Sequence, residues 1–387
     1  MRRLKLSHKA SQRIEAGHLW VYRGETRDEL AADALEQVLL CDERGRLLGS
    51  ALVDAKSPVP IRLYSRKEQL FDAQFVQKRV SEALAWRRTL AIGNSTGFRL
   101  IFSEADGLPG LIVDRFGEAL AIQFTMRNYQ ALCPTLIQAI ESELTGVSVN
   151  AVVVEQDGER RLLSGKIEDT AASYLLNGLE LRADLLNGPK TGAFLDQREN
   201  YVIVRNWAER LCAAGTALDL FSSSGGFALH LAQIVKHVDA VDSSPQSIST
   251  ITDNAKRNNI DNIKAIRADV KQFLRGLGQA RRRYECVVVD PPAFAKSSQQ
   301  KAEANRAYYD LNLRALGATA SAGLFVTCSC SRAISESDLL EILRQAAAES
   351  RRTLTILEKC RQSHDHREVV NIPETSYLKC LVFRLDQ

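Results

Sequence analysis

The stretch ALDLFSSSGGFALHLAQIVK, residues 217–236, contains the change of hydrophobic pattern that decides the fold. Its first five residues are apolar except for Asp219, as in a buried strand, and its last eleven residues have the spacing of a helix. Gly225 and Gly226 lie between the two patterns and allow a ligand to approach the backbone closely. We therefore predict a strand, a glycine-containing loop and a helix, which form the first unit of an open α/β sheet.

The same alternation continues towards the C-terminus. Four more strand-like runs are each followed by a helical pattern, and they read VDAVD, IKAIRAD, ECVVVD and GLFVTCSC. This alternation is typical of a doubly wound parallel sheet that is covered by helices. We predict such a Rossmann-like α/β domain over residues 181–387, with the last two apolar runs, LTILEKC and LKCLVFRL, paired as an edge hairpin.

The N-terminal half of the chain does not show this alternation of strands and helices. The length of 387 residues favours two or three domains. Residues 1–66 contain short apolar runs separated by Gly, Asp and Pro, which predict a small β-rich unit. Residues 67–180 combine two helical patterns, a hairpin around the turn DGLPG and the strand NAVVVEQ. We interpret this second segment as an α+β middle domain.

Composition excludes several classes of protein. Eight cysteines are scattered along the chain without a CxxC pair, so we expect neither a disulfide framework nor a metal site. There is no run typical of a membrane span or a signal peptide, so we expect a cytoplasmic protein without membrane association. The net charge of +4 is weak evidence for a nucleic-acid partner, and the five basic residues within residues 1–13 are equally typical of a solvated terminus.

Acidic residues follow successive predicted strands, where open α/β sheets bind ligands. A carboxylate after the second strand, Asp242, can accept hydrogen bonds from both ribose hydroxyls of a nucleoside, and Asp269 after the third can accept one from an adenine amino group. The glycine spacing differs from the GxGxxG phosphate loop, and no GKS or GKT is present. The loop alone is also consistent with dehydrogenases, but the acids together favour S-adenosylmethionine.

The chain resembles the cytosine-5 ribosomal RNA methyltransferases that join a PUA domain, a middle α+β domain and a class I methyltransferase domain. The resemblance covers nearly the whole chain and rests on the motifs GHLWVYRGE, EADGLPGLIVDRFG, KTGAFLDQREN, DLFSSSGGF, VVVDPPAF, YYDLN, TCSCS and PETSYLKC. It implies a PUA-like RNA-binding domain over residues 1–66, a ribosomal RNA partner, expected to be that of the large subunit, and a possible homodimer. It also implies S-adenosylmethionine as cofactor, with binding residues Asp219, Phe221, Gly225, Asp242, Asp269, Lys190 and Arg198.

The chemistry of cytosine carbon 5 requires a cysteine. This carbon is a poor nucleophile until a thiolate adds to carbon 6. Strand periodicity places Cys328 and Cys330 on the same side and cannot choose between them, whereas Cys330 is nearer the carboxyl end of its strand. The Ser-Cys-Ser of the resembled family matches residues 329–331, which makes Cys330 the expected nucleophile. Asp290 is expected to contact the cytosine near ring nitrogen 3.

Alternatives remain for these residues. Cys330 is also consistent with an inert buried thiol, Asp290 with a strand-end turn, and YYDLN with core packing. The chain departs from the family pattern at five positions: Pro189, Ser223, Ser224, Tyr309 and Arg367. Two other functions are therefore kept: a methyltransferase for a small molecule or protein, and an RNA-binding assembly factor that has lost catalysis.

Overall fold

Residues 1–30, 36–127, 132–144, 146–295 and 298–386 are described by the computed structural model. The chain forms two compact units. The first unit consists of Met1–Gly178, Ala183–Leu195 and His364–Thr375, and the second consists of Leu179–Arg182, Asp196–Ser363 and Ser376–Gln387. Within the described ranges, no helix is long and apolar enough to cross a membrane.

The first unit begins with a five-stranded sheet in the order β1-β3-β4-β5-β2, which confirms the predicted β-rich N-terminal part. One short helix, α1 (His8–Glu15), accompanies it, with the Ser7 hydroxyl accepting from the Ala10 amide at its start. The strands are β1 (Arg2–Lys5), β2 (Trp20–Val21), β3 (Glu36–Cys41), β4 (Leu47–Val53) and β5 (Ile61–Ser65).

A second five-stranded sheet of the same unit has the order β10-β9-β8-β7-β6. The hairpin predicted around DGLPG is confirmed, since β6 and β7 pair antiparallel on either side of that turn. The elements of this part are α2 (Ala73–Arg88), β6 (Gly97–Phe102), β7 (Leu111–Phe116), β8 (Ala119–Phe124), α3 (Cys133–Glu143), β9 (Ala151–Gln156) and β10 (Glu159–Gly165). A two-stranded hairpin, β11 (Ala171–Leu176) and β12 (Leu179–Asp184), follows.

Buried ion pairs explain the motif EADGLPGLIVDRFG. Asp114 accepts two hydrogen bonds of 2.8 Å from the Arg99 guanidinium and one of 2.6 Å from the Thr191 hydroxyl. Burial opposes ionisation of Asp114, but the charge and hydrogen bonds of Arg99, with smaller contributions from His366 and Thr191, together lower the pKa of this carboxyl. Asp106 accepts from Arg87 at 2.6 Å. The acidic residues of the motif therefore neutralise arginines inside the first unit.

The second unit contains the predicted doubly wound sheet, in the order β15-β14-β13-β16-β17-β19-β18. Its strands are β13 (Thr216–Leu220), β14 (His237–Asp242), β15 (Ile263–Arg267), β16 (Tyr284–Val289), β17 (Thr319–Ser329), β18 (Thr353–Cys360) and β19 (Lys379–Asp386). Its helices are α4 (Arg198–Cys212), α5 (Gly226–Ala232), α6 (Pro245–Arg257), α7 (Val270–Ala280), α8 (Lys301–Gly317) and α9 (Glu336–Glu349).

The pairing within this sheet fixes where its ligand edge lies. The strands β13 to β17 run parallel, so their carboxyl ends meet at one edge, which we call the carboxyl edge. The predicted hairpin of the two last apolar runs is confirmed, since β18 and β19 pair antiparallel. However, β19 also pairs with β17, so of the two hairpin strands β18 alone lies at the edge of the sheet.

We expect Asp114→Ala to destabilise the first unit by about 3–5 kcal/mol, because it leaves the Arg99 guanidinium buried without its partner. Urea unfolding in a Trp207→Phe background isolates this unit, since Trp20 and Trp86 then supply the tryptophan fluorescence. Glu82→Ala, which removes an exposed partner of Arg79 in the same unit, is the control and should change little. An Asp114→Ala variant as stable as this control would contradict the assigned role of the pair.

Candidate active site

The loop that follows β13 has an unusual backbone. Phe221 and Ser223 have φ values of 63° and 51°, which residues other than glycine rarely adopt, and Gly225 has a φ of 86°. Such residues cost about 1–3 kcal/mol each and persist only where the surroundings enforce them. Here the Asn254 side chain donates to the Ser224 carbonyl at 3.0 Å. The loop is thus held in a defined shape just before α5.

Asp219 lies buried at the end of β13, beneath this loop. Its Oδ2 accepts from the Ser222 hydroxyl at 2.5 Å and from the Ala228 amide at 3.0 Å. Its Oδ1 is buried and has no hydrogen-bond partner among the described residues. Burial raises the pKa of Asp219 to about 7, and the charges of Asp290 and Asp242 add to the rise. Asp219 therefore offers an acceptor that a donor-bearing ligand would satisfy.

Asp242 ends β14 with both carboxylate oxygens oriented by backbone amides. Oδ2 accepts from the Ser223 amide at 3.0 Å and Oδ1 from the Ser244 amide at 2.9 Å. Each oxygen keeps a second lone pair, so the carboxylate can still accept from two hydroxyls. The geometry is compatible with the predicted ribose contact.

Asp269 follows β15 and has a structural task as well. Its side chain accepts from the Gln272 amide at 2.9 Å and caps α7. The amide of the preceding residue, Ala268, donates to the Asp242 carbonyl at 3.0 Å. Asp269 is therefore near Asp242 at the carboxyl edge, and its predicted adenine contact stays a prediction.

Asp290 follows β16 and has a partner that the sequence analysis missed. The buried Gln197 amide donates to Asp290 Oδ2 at 3.1 Å. The Gln197 oxygen in turn accepts from the Asn200 amide at 2.6 Å, which fixes the orientation of the Gln197 amide. The sequence signal for this contact is the string KTGAFLDQREN, which places Gln197 next to Arg198.

The structure distinguishes the two cysteines that periodicity could not. Cys328 lies inside β17 and is fully buried, and burial raises the pKa of its thiol to about 11. Cys330 is partly exposed. Because β17 ends at Ser329, strand alternation does not extend to Cys330. Val289 pairs with Thr327, so Asp290 and Cys330 both follow neighbouring strand ends at the carboxyl edge.

Lys190 and Arg198 belong to different units. Lys190, in the first unit, has its ammonium 4.6 Å from the ring centroid of Phe194. Arg198, in the second unit, is the buried first residue of α4 and donates to Glu199 at 3.1 Å. Their expected place near the cofactor tail stays a prediction.

Two departures from the family pattern make contacts of their own. The Tyr309 hydroxyl donates to Glu349 on α9. In the first unit, Arg367 donates to Asp106 at 3.0 Å and lies 5.1 Å from the ring centroid of Trp86. Within the YYDLN motif, Tyr308 is fully buried, as core packing of this motif predicts.

The site residues fit S-adenosylmethionine. Asp219, Asp242 and Asp290 give the edge a cluster of acceptors and negative charge, which suits hydroxyls, an ammonium and a sulfonium and would repel a pyrophosphate. The unpartnered Asp219 Oδ1 is such an acceptor. Among the described residues, no group of three or more His, Cys, Asp or Glu side chains is placed to hold a metal ion.

Comparison with known protein families finds two regions of this chain. Residues 4–66 match the PUA-like domain, and residues 214–319 match the RNA cap guanine-N2 methyltransferase family.

Full-length relatives are found as well. A protein from Shewanella denitrificans called ribosomal RNA large subunit methyltransferase I is 30% identical over 412 residues, which cover 99% of each chain. A protein of the same name from Citrobacter koseri is 29% identical over 396 residues, which again cover 99% of each chain.

Solved structures share the fold. A Streptococcus mutans protein assigned as a SAM-dependent methyltransferase has a TM-score of 0.85 at 19% identity, with 99% of this chain and 100% of that one covered. A second solved structure, of an assigned methyltransferase complexed with SAH (S-adenosylhomocysteine), has a TM-score of 0.85 at 20% identity, and it covers 99% of this chain and 100% of that one.

We expect the affinity for S-adenosylhomocysteine to rise with pH between pH 6 and pH 8. The raised pKa of Asp219, about 7, means that its charge forms in this window, and the ligand's ammonium favours the ionised form. Asp219→Asn keeps one oxygen for Ser222 and Ala228 but cannot ionise, so its affinity should be weaker and flat with pH. Calorimetry on both proteins measures this.

The matched control is Asp253→Asn, which removes an exposed acid of α6 and should keep the wild-type profile. A wild-type profile that persists in Asp219→Asn would show that another group causes the pH dependence.

Proposed function

The chain belongs to the ribosomal RNA large subunit methyltransferase I family, and from this premise we propose that it transfers a methyl group to carbon 5 of a cytosine in large-subunit ribosomal RNA. The cofactor is S-adenosylmethionine, which supplies an electrophilic methyl group when bound. The observation that carries the cytosine assignment is the partly exposed thiol of Cys330 at the carboxyl edge, where Cys330 and Asp290 follow the ends of the neighbouring strands β17 and β16. We further propose that the enzyme acts in the cytoplasm.

Each residue has a distinct task in the proposed reaction. The Cys330 thiolate adds to carbon 6, and the ring electrons that this addition displaces collect at carbon 5, which then takes the methyl group. Asp290 lies against the ring near nitrogen 3, and a proton that it shares with this nitrogen neutralises the charge that the addition places on the ring. Its Oδ2 accepts from the Gln197 amide, which holds the carboxyl group in one direction. Loss of the carbon 5 proton to a base then expels Cys330 and restores the aromatic ring.

Cofactor binding falls to the loop after β13 and the acids beside it. Asp242 holds the ribose hydroxyls, Asp269 the adenine amino group, and Asp219 the cationic amino-acid tail. Phe221 and Gly225 shape the surface on which the nucleoside lies, and Lys190 and Arg198 are proposed near the tail. Two of these roles are supported by contacts: Asp219 Oδ1 is an unpartnered acceptor, and each Asp242 oxygen keeps a second lone pair.

A guanine-N2 methyltransferase is the second candidate, because that family matches residues 214–319. The matched segment includes the loop, Asp242 and Asp290 but ends before Cys330. Methylation of an exocyclic amine needs no thiol, whereas addition to carbon 6 does. The likeness is therefore to the cofactor-binding half, and Cys330 favours cytosine.

We propose that residues 1–66 contact RNA, residues 67–180 form the middle domain and residues 181–387 catalyse the reaction. Arg3, Lys5 and Lys9 are exposed and suit phosphate contacts, whereas Arg2 is already paired with Glu36 at 2.8 Å. Phosphate contacts position the RNA but carry little sequence information. The base itself must leave its stack, at a cost of a few kcal/mol, to reach Cys330.

We expect Cys330→Ala to abolish methyl transfer and leave S-adenosylhomocysteine affinity unchanged, because it removes the nucleophile and no cofactor contact. Cys328→Ala should stay active and lose about 1–2 kcal/mol of stability, as small core truncations do. The assay is mass spectrometry of nucleosides from large-subunit ribosomal RNA lacking the modification, with 5-methylcytosine and N2-methylguanosine measured together.

Trapping on 5-fluorocytosine RNA provides the second measurement. Wild type and Cys328→Ala should form a covalent adduct that Cys330→Ala cannot form. An active Cys330→Ala beside a folded but inactive Cys328→Ala would move the nucleophile to Cys328. N2-methylguanosine formed by Cys330→Ala would replace the cytosine assignment with the second candidate.

A further inference from the structure

Cys330 lies in a short segment that the sheet does not hold. β17 ends at Ser329, and residues 330 and 331 have no regular secondary structure. A nucleophile must nevertheless keep a fixed direction, because a misplacement of about 1 Å can cost about 100-fold in rate. Other contacts must therefore hold the Ser-Cys-Ser segment, residues 329–331.

The hydroxyl of Tyr308 contacts both serines that flank Cys330. It lies 2.9 Å from the Ser329 hydroxyl and 3.1 Å from the Ser331 hydroxyl. All three side chains are buried, and Tyr308, on α8, is fully buried. One phenolic oxygen thus joins the residues on either side of the thiol.

The Ser329 hydroxyl donates to the Tyr308 oxygen. Between Tyr308 and Ser331 either hydroxyl can donate. Burial raises the pKa of Tyr308 to about 12, so the Tyr308 proton is retained at neutral pH. Ser329 Oγ also accepts from the Ser331 amide at 3.3 Å. These contacts form a closed ring that joins the residues on either side of Cys330.

The backbone of the segment has a further anchor. The Lys379 ammonium donates to the Ser331 carbonyl at 2.8 Å and to the Tyr377 carbonyl at 2.9 Å. Lys379 pairs with Ser329 in the β17–β19 register, so this anchor comes from the neighbouring strand. Tyr308 holds the side chains of the segment and Lys379 holds its backbone.

We propose that Tyr308 is a positioning residue for Cys330, whose hydroxyl binds Ser329 and Ser331 and so directs the thiol into the carboxyl edge. The inference rests on the proposed function, which makes Cys330 the nucleophile. Tyr308 does not touch the substrate, and its ring also packs on Phe294 at a centroid distance of 4.8 Å. Tyr308→Phe therefore keeps the packing and removes only the hydroxyl.

Tyr309 provides the matched control. It is the next residue of the same helix, it is only partly buried, and its hydroxyl contacts Glu349 on α9. Tyr309→Phe removes the same atom from a neighbouring ring without touching the Ser-Cys-Ser segment. Any effect of Tyr308→Phe that Tyr309→Phe shares is not due to positioning.

We expect Tyr308→Phe to lower kcat by about 10- to 100-fold, with KM for RNA and S-adenosylhomocysteine affinity as in wild type, because only the approach geometry changes. Ser331→Ala should lower kcat similarly, and the double variant should be no slower than either single one, since both break the same ring. Tyr309→Phe should keep the wild-type kcat. A Tyr308→Phe variant as fast as Tyr309→Phe would overturn the inference, as would a loss of rate no larger than its loss of folded protein.

Alkylation of Cys330 by iodoacetamide, followed by mass spectrometry, tests positioning without RNA. Releasing the segment should expose the thiol, so Tyr308→Phe should be alkylated several-fold faster than wild type and Tyr309→Phe at the wild-type rate. Equal rates in the two variants would overturn the inference. The alkylation readout does not depend on the proposed function. An active Cys330→Ala would refute the role of Cys330 as the nucleophile. An inactive Cys330→Ala, together with wild-type kinetics and alkylation in Tyr308→Phe, would refute only the positioning role of Tyr308.

Discussion

Parallel pairing of β13 with β14 and β16, and of β16 with β17, is the constraint on which the site depends. Leu220 pairs with Val289, so β13 and β16 end together, and Val289 pairs with Thr327, two residues before the end of β17. Residues that the chain separates by tens of positions therefore follow strand ends along one edge. The main-chain hydrogen bonds of the sheet hold that edge rigid, and a catalytic constellation needs such rigidity.

Burial at this edge gives the carboxylates their chemistry. Asp219 is buried and one of its oxygens has no hydrogen-bond partner among the described residues. Burial raises the pKa of this carboxyl to about 7, because the ionised form loses its hydration. A cationic, hydroxyl-rich ligand compensates for this loss through hydrogen bonds and charge. The left-handed backbone at Phe221 and Ser223 adds conformational strain to the same loop. The sheet that precedes the loop and Asn254 of α6 hold it in this conformation.

The first unit uses charge differently. Asp106 and Asp114 neutralise buried arginines there, so these acids of the string EADGLPGLIVDRFG serve the folding of that unit. Arg367 joins this network by pairing with Asp106, which gives the departure from the family pattern a structural partner. The motifs that carry the family resemblance thus include residues whose contacts hold the fold together.

The sequence by itself determined the alternation of strands and helices, the acids at the strand ends and the pairing of the two last runs, because local hydrophobic period reports which face of each element is buried. It left Cys328 and Cys330 equivalent by periodicity and missed Gln197 and the ring around Tyr308. These were decided by tertiary structure: where β17 ends, and which helices lie against that end. Gln197 reaches Asp290 across 93 residues, and Tyr308 reaches Ser331 across 23. Such contacts depend on strand order and helix placement, for which a local pattern carries no signal.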